Sequence, residues 1–534
     1  VCVCVCVCVQ GVIQSLYASG LIDDAMEDTL VGRALDRDPN ILILAKRYIS
    51  NPVKFLKYAL REVSNTVTIT PPPPRIDAVI VGAGLAGLTA AVTLVDRGAN
   101  VVLIDKMKFT GGNSAYASSG VNAVSSDVLH SPGDSWELFL GDCDKTLDIN
   151  DDHLLGVLVK RSYDSLEWFR NRSGLSLDQK GQLGGHSSPR TYRPSTGMAG
   201  SEMVFAITKI AKKLNKTAAE RFKMMLGAEL MGLDVNEDGE ISGVSIKQHG
   251  VTQTIETNNV ILATGGYASD RKGEGSLLHQ FRPDLEKYET TNGPFSTGDG
   301  HKIAVKAGAK LTEMSHVQVH PTAFKTKVDK ADRLTLCAEI LRGTGAILLD
   351  RHGKRFADEL GKRDYLTQRM NEAEGDNLGY TILLNEAMAQ IANKHVPHYI
   401  NKNLLTKLNT ISDIATWMKI DESDLRKTFS KYHTDAENGT DEFGKRYFHN
   451  PVFNSTAGPF YAGTVTPAIH YTMGGVAIDT SGRMLKEKDG SVFPGLYAAG
   501  EITGGVHGTN RLGGNALTEA IVFGSMVGSN LKLG

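Results

Sequence analysis

Ile76-Asp77-Ala78-Val79-Ile80-Val81 runs directly into Gly82-Ala83-Gly84-Leu85-Ala86-Gly87. A helical stretch follows to about Arg97, Gly98 stops it, and a second apolar run, Val101-Val102-Leu103-Ile104, ends at Asp105. Nothing else in the chain constrains its fold so strongly. A Gly-x-Gly-x-x-Gly alone is weak, but a strand before it, a helix after it and an acid about 20 residues on make a dinucleotide fingerprint in a parallel α/β sheet. Gly82 permits the tight turn, Gly84 lets the backbone approach a pyrophosphate, and Gly87 lets helix and strand pack closely, with small Ala83 and Ala86 between them. The helix N-terminus favours phosphate charge, and Asp105, followed by Lys106, is placed to bind ribose hydroxyls. No second strand-linked fingerprint occurs, so an NADH site within this chain is not supported.

At 534 residues the chain exceeds what one core usually supports, which predicts two domains plus an extension. The net charge of −2 and a pI near 6.8 give no case for nucleic acid or an anionic membrane surface. No run approaches roughly 18 uninterrupted apolar residues, so no membrane span is expected and the protein reads as soluble. Of six cysteines, four alternate with valine in residues 1–9, a low-complexity start without an initiator Met that reads as a gene-model artefact or fragment edge. Cys143 and Cys337 remain; there is no disulfide framework, no Cys-x-x-Cys-His for haem, and no metal site is predicted. Residues 11–66 read as a helical arm, and Pro71 to Pro74 as a stiff spacer. The acids Asp23, Asp24, Glu27 and Asp28 argue against a transit peptide.

A second dense region lies near the C-terminus: His470-Tyr471-Thr472-Met473-Gly474-Gly475, then Ala499-Gly500-Glu501, then His507-Gly508 and Asn510-Arg511-Leu512-Gly513-Gly514-Asn515-Ala516-Leu517. Close-approach glycines beside an imidazole and a guanidinium suit a flavin together with a carboxylate. This block resembles the C-terminal signature of the soluble FAD-dependent fumarate reductases, relatives of the succinate dehydrogenase flavoprotein, and the resemblance extends over about residues 76–534. It implies an α/β fold: a discontinuous Rossmann-like FAD-binding domain (76–316 and 471–534) interrupted by an α+β capping, or clamp, domain (317–470), after an extension (1–75). Gly111-Gly112-Asn113-Ser114 and Ser118-Ser119-Gly120 resemble the segments along the ribityl chain and flavin ring. Ala263-Thr264-Gly265-Gly266 resembles the turn over the adenosine half, Asp299 lies in a matching Gly-Asp-Gly, and Glu501 is expected on the ribitol or ribose side, with Asn515, Ala516 and Leu517 completing the cofactor set. Succinate dehydrogenase flavoproteins attach FAD through a His in the first segment; Asn113 stands here, which predicts one noncovalent FAD per chain and, by family analogy, a bias towards reduction.

The resemblance also implies a substrate site. Gln318-Val319-His320-Pro321-Thr322 matches the segment whose His binds a carboxylate, and His470 and Arg511 complete the clamp, with Thr472 lining it. Glu339 and Arg342 match the pair that relays protons to an Arg acid, here Arg363. Reducing an unsaturated dicarboxylate needs a hydride at one carbon, a proton at its neighbour and positive or hydrogen-bonding groups for the charge that builds on a carboxylate. An Arg pKa above roughly 12 makes Arg363 an odd acid unless Glu339 and Arg342 reload it by short hops. Taken singly, each residue has a structural alternative: His320 capping a strand, Glu339 and Arg342 an ordinary helix pair, Arg363 and Asp364 a surface pair. His186 and His507 are expected to satisfy backbone groups. Ala338 departs from relatives that carry Thr there, which removes one substrate hydrogen bond. The expected activity is reduction of fumarate to succinate; the alternatives are a reductase of a urocanate- or acrylate-like acid, or the flavin module of a larger electron-transfer protein. The donor is left open among reduced flavin, an NADH-linked reductase and a cytochrome, external or fused, and the compartment between cytoplasm and mitochondrion or another organelle.

Overall fold

The computed structural model describes residues 75–533 except 326–332, 374, 376–378 and 455–457, so the expected helical arm and proline spacer lie outside the described residues. The fingerprint folds as read. Strand β1 (Ala78–Val81) is buried along its whole length, helix α1 spans Leu85–Asp96, Gly98 follows at φ +89°, and β2 (Val101–Asp105) ends on the acid. Further along the chain come β3 (Phe222–Leu226), β4 (Val260–Leu262), β5 (Val317–Phe324), β6 (Thr335–Leu336), the short helix α2 (Ile340–Gly343), β7 (Ile347–Leu349), α3 (Arg363–Glu372), β8 (Tyr380–Leu384), β9 (Phe460–Thr472), β10 (Arg483–Leu485), β11 (Val492–Ala498) and α4 (Asn515–Asn530).

Two sheets organise these elements. The first has the order β10-β11-β4-β1-β2-β3, parallel except for the edge pair β10–β11, with Val79 opposite both Val260 and Val102. Continuous apolar runs such as Ala78–Val81 belong in such a sheet, because both faces are covered. The second is antiparallel, β6-β5-β9-β8-β7, with Val317 opposite Thr472, Gln318 opposite Tyr471 and a register irregularity between His320 and Ala323. β5 begins at Val317 and β9 ends at Thr472. Residues 75–534 nevertheless pack as one compact unit.

Helix α4 closes the first layer against α1. A Cβ at Gly524 would lie 2.6 Å from the Ala86 carbonyl oxygen, and one at Gly528 3.0 Å from that of Ala90, so the helices meet backbone to backbone. Its first turn is tied down as well: Thr518 Oγ1 donates to the Asn122 carbonyl (2.9 Å), and Asn122 Nδ2 donates to Asn515 Oδ1 (2.7 Å). The substrate-candidate residues of β5 and β9, the flavin-candidate glycines that follow β1 and β4, and Asn515, Ala516 and Leu517 at the start of α4 are therefore carried on or directly beside regular elements.

Candidate active site

One long cavity runs along the fingerprint. Gly82, Gly84, Ala86, Asp105, Lys106, Gly112, Asn113, Ser114, Ala263, Thr264, Gly265, Asp299, Glu501, Ala516 and Leu517 all line it. The glycines divide by cause. A Cβ at Gly87 would lie 1.9 Å from the Gly82 carbonyl oxygen, and one at Gly82 2.2 Å from that of Ala263, so these two are required by the chain itself. A Cβ at Gly84 would meet no protein atom nearer than the Gly111 oxygen at 4.0 Å, and one at Gly265 nothing within 4 Å. Their bare backbone faces free volume, as a bound pyrophosphate would need. Asp105 accepts from the amides of Ala83 and Met107, both at 2.7 Å, while burial pushes its carboxyl up. Lys106 Nζ reaches Asp299 (2.5 Å) and Thr297 (2.8 Å). Asn113 donates to Asn292 and to Ser296 (2.6 Å) and accepts from the Gly293 amide (2.9 Å). Its amide is held in place by neighbours. These residues fit an extended dinucleotide cofactor.

Six residues expected at the cofactor stand behind the cavity wall or to one side of it. Ala83 holds Asp105 through its amide, Gly87 seats α1, and Gly266 leaves room for Thr472 and Glu501. Gly120 packs on the Tyr192 backbone, and Ser119 beside it is not among the lining residues. Asn515 is engaged with Asn122 and, through Nδ2, with Cys143 Sγ at 3.4 Å. In exchange, sequence reasoning missed Ala228-Glu229-Leu230, at the head of an antiparallel strand, and the aromatic rim of Phe109, Tyr116 and Phe295. No local spacing marks either group, because both reach the cavity only through tertiary packing.

Of the substrate candidates His470 lines this cavity, while His320, Arg363 and Arg511 cluster with it but are not among the lining residues. The His470 ring is 5.1 Å from that of His320, and its Nδ1 is 2.7 Å from Thr291 Oγ1. His320 Nδ1 lies 2.9 Å from the Thr322 carbonyl and 3.1 Å from its amide, and Nε2 is buried without a partner among the described residues. Arg363 and Arg511 meet at a residue absent from the expected set: Gln318 Oε1 accepts from Arg363 Nη1 (2.8 Å) and from Arg511 Nη2 (3.1 Å). Gln318 Nε2 in turn donates to the Arg511 carbonyl (2.7 Å) and to Asn510 Oδ1 (3.0 Å). Thr472 departs from expectation. Its amide and hydroxyl both donate to Glu501 Oε1 (3.1 and 3.3 Å), and it is fully buried away from the cavity lining.

The charges are arranged unlike a simple cationic clamp. Burial first, then Arg363 and neighbouring cations, holds both His320 and His470 well below the usual imidazole range, so each is neutral. As neutral rings they can offer hydrogen bonds but no net charge. Burial lowers Arg511 to about 10, with Arg363 adding to the effect. Burial acts to raise Glu339, but Arg363 and Arg342 outweigh it and hold the carboxyl at about 2. Glu339 Oε2 accepts from Arg363 Nη2 (2.7 Å) and Nε (3.2 Å), and Oε1 accepts from the Gly184 amide (2.8 Å). Arg342 is less well connected than its helical spacing suggests. Its Nη2 lies 3.9 Å from Glu339, beyond hydrogen-bond range, while Nη1 donates to the Glu359 carbonyl (2.6 Å).

Among relatives, the FAD-binding-domain family model matches residues 77–517. A fumarate reductase of Schizosaccharomyces pombe is 37% identical over 466 residues, 84% of this chain and 88% of that protein. Fumarate reductase 1 of Saccharomyces cerevisiae is 36% identical over 469 residues, covering 84% and 96%. A urocanate reductase of Eggerthella lenta is 30% identical over 85% of this chain and 74% of its own. In structure, the open conformation of a flavocytochrome c3 fumarate reductase superposes with a TM-score of 0.67 at 32% identity, covering 89% of this chain and 80% of that one. The fold and cavity define an FAD-dependent oxidoreductase. This chain belongs to the fumarate reductase family of FAD-binding flavoproteins.

Proposed function

We propose that the protein reduces fumarate to succinate on a noncovalently held FAD, with Arg363 as the proton donor. The observation that carries this is the sharing of Gln318 Oε1 by Arg363 and Arg511, next to two neutral histidines of which His470 lines the flavin-type cavity. Three buried guanidiniums, Arg342, Arg363 and Arg511, stand in this cluster against two buried carboxylates held ionised, Glu339 and, behind the Tyr471 ring, Glu519. The remaining positive excess suits a carboxylate substrate. Bound FAD supplies the hydride, from N5 of its reduced ring.

The side chains divide the remaining work. Arg511 and, in the tautomers that carry the proton on Nε2, His320 and His470 hold a carboxylate and meet the charge that builds on it. At an effective dielectric near 20, one cation about 4 Å away contributes on the order of 4 kcal/mol gross. Gln318 keeps two like-charged guanidiniums at a fixed separation. Arg363 opens α3 and is fixed by Glu339 and Gln318, which places its guanidinium to deliver a proton to the substrate. Glu339, bonded to two of its nitrogens, returns the proton. Arg342 Nη2, 3.9 Å from Glu339, is the nearest further donor from which Glu339 can be reloaded, directly after a small shift or across a water. Asn113, committed to Asn292, Ser296 and Gly293, is no nucleophile for a flavin methyl, which supports noncovalent attachment.

The test is to reduce the flavin of the purified protein with dithionite under anaerobic conditions and to mix it with fumarate in a stopped-flow instrument. Rapid reoxidation with succinate formed is expected. Slow reoxidation by fumarate with rapid reoxidation by urocanate would transfer the activity to that acid, and Ala338, buried in the apolar cluster of the antiparallel layer, becomes the residue to exchange for Thr. Denaturation is expected to release all the yellow colour; flavin remaining on precipitated protein would refute noncovalent attachment.

A further inference from the structure

Arg511 is thinly anchored for a buried guanidinium. Of its donors, Nη1 is spent on its own neighbour's carbonyl, Leu512 (3.0 Å), Nη2 on Gln318 (3.1 Å), and Nε has no partner among the described residues. Its most extensive contact is a face: Cζ lies 4.1 Å from the centroid of the Tyr471 ring. That ring has a support of its own. The Tyr471 hydroxyl donates a short hydrogen bond to Glu519 Oε2, which also lies 3.0 Å from His507 Nε2, while Glu519 Oε1 accepts from Thr503 Oγ1 at 2.9 Å. Glu519 is fully buried, and the reaction proposed above makes no use of it. His507 was expected to satisfy a backbone group and instead meets this carboxylate.

We propose that Glu519, acting through the Tyr471 ring, is a positioning residue that holds Arg511 in the orientation from which it binds the substrate carboxylate. The inference rests on the site assigned to Arg511 in the preceding subsection. Burial acts to raise the Glu519 carboxyl, but His507, Tyr471 and Thr503 outweigh it, so Glu519 is an anion. A phenol that donates to an anion carries a more electron-rich ring, and the attraction of a guanidinium to that ring grows with it. The helix supplies rigidity. Glu519 sits in the early part of α4, which is tied to Asn122 at Thr518 and Asn515, so the carboxylate, the ring and the guanidinium form one stack referred to a fixed helix. Glu339 faces Arg363 on one side of the cluster; Glu519 plays the corresponding part for Arg511 from behind a ring, where it cannot compete with substrate for the guanidinium.

The experiment compares wild-type holoenzyme with Glu519→Gln, Tyr471→Phe and Tyr471→Leu. The readouts are flavin content, melting temperature, binding of succinate and of urocanate to the oxidised flavoprotein by absorbance difference, and kcat and KM with fumarate. Removing the aromatic face in Tyr471→Leu is expected to weaken carboxylate binding about 2- to 30-fold, with the two milder variants at the lower end of that range. KM rises by a similar factor and kcat stays within about threefold, as expected for a lost contact made equally in ground and transition states. Unchanged affinity in all three variants, with only a lower melting temperature, would overturn the proposal and leave the stack a packing device. If wild type binds urocanate and not succinate, the dicarboxylate assignment fails, and the same comparison with urocanate decides the role of Glu519 separately.

Discussion

Arg363→Lys separates charge from geometry at the proton donor. Arg363 makes three polar contacts: Nη1 to Gln318 (2.8 Å), Nη2 to Glu339 (2.7 Å) and Nε to Glu339 (3.2 Å). A lysine keeps the charge, but one ammonium cannot span Gln318 and both Glu339 contacts as a planar fork does. Losing one charge-assisted bond costs about 1.5–3 kcal/mol, and the proton-bearing atom moves with it. Lysine is also intrinsically the stronger acid, about 10.4 against more than 12, so if acidity limited the reaction the variant would be faster. If position limits it, the contribution of a placed general acid, about 10²- to 10⁴-fold, is largely lost. The expected result is a fall in kcat of at least about a hundredfold, flavin content unchanged and succinate affinity within about threefold. The assays are steady-state fumarate reduction and succinate titration of the oxidised flavoprotein. Turnover within about tenfold of wild type would refute the assignment of Arg363 as a geometrically constrained acid.

Other perturbations address other parts of the molecule. Burial pushes the Glu501 carboxyl up to about 8. The folded state therefore holds a proton that the unfolded chain releases near 4.3, so the stability of flavin-free protein should decline as pH rises from about 4.5 to 8, and Glu501→Gln should flatten that slope in urea titrations at several pH values. Lys445 Nζ pairs at 2.7 Å with the buried Glu359 carboxylate, which Arg355 also holds through Nε and Nη2; Lys445→Met removes one charge-assisted bond and is expected to lower unfolding free energy by about 1.5–3 kcal/mol, read by denaturant midpoint. Gly87→Ala drives a Cβ into the Gly82 carbonyl, and soluble protein purified without flavin, or no soluble protein, is expected; a fully loaded, stable variant would contradict the packing described.

The fingerprint was legible because its signals are local: glycines, strand, helix and acid lie within one short stretch, and only one fold makes use of all of them. The long strand β9 and its pairing to β5 were not, since antiparallel register between residues 317 and 472 leaves no short-range mark. Gln318 was in view within its motif, yet its bridging role depends on side chains at 363 and 511, brought together only by the tertiary fold. The neutrality of His320 and His470 was hidden for a different reason: burial sets it, and sequence shows residue type rather than desolvation. Helical spacing placed Arg342 next to Glu339, but the side chain turns to the Glu359 carbonyl, which spacing alone does not foresee. His186 did meet a backbone group, with Nε2 3.1 Å from the Gly513 carbonyl.

The strand order of the parallel layer also dictates a timetable. β1 and β2 are among the first described elements to emerge during synthesis, but β4 lacks its second neighbour until β11 is made, and α1 lacks its cover until α4 follows. Glu501, Ala516 and Leu517 reach the cavity only then. The nascent chain must therefore carry an unfinished cradle through the whole of the inserted antiparallel layer, and capture of FAD is confined to the moments after residues 492–530 have left the ribosome. A nonsense change anywhere before that point leaves the cradle incomplete, however intact its fingerprint.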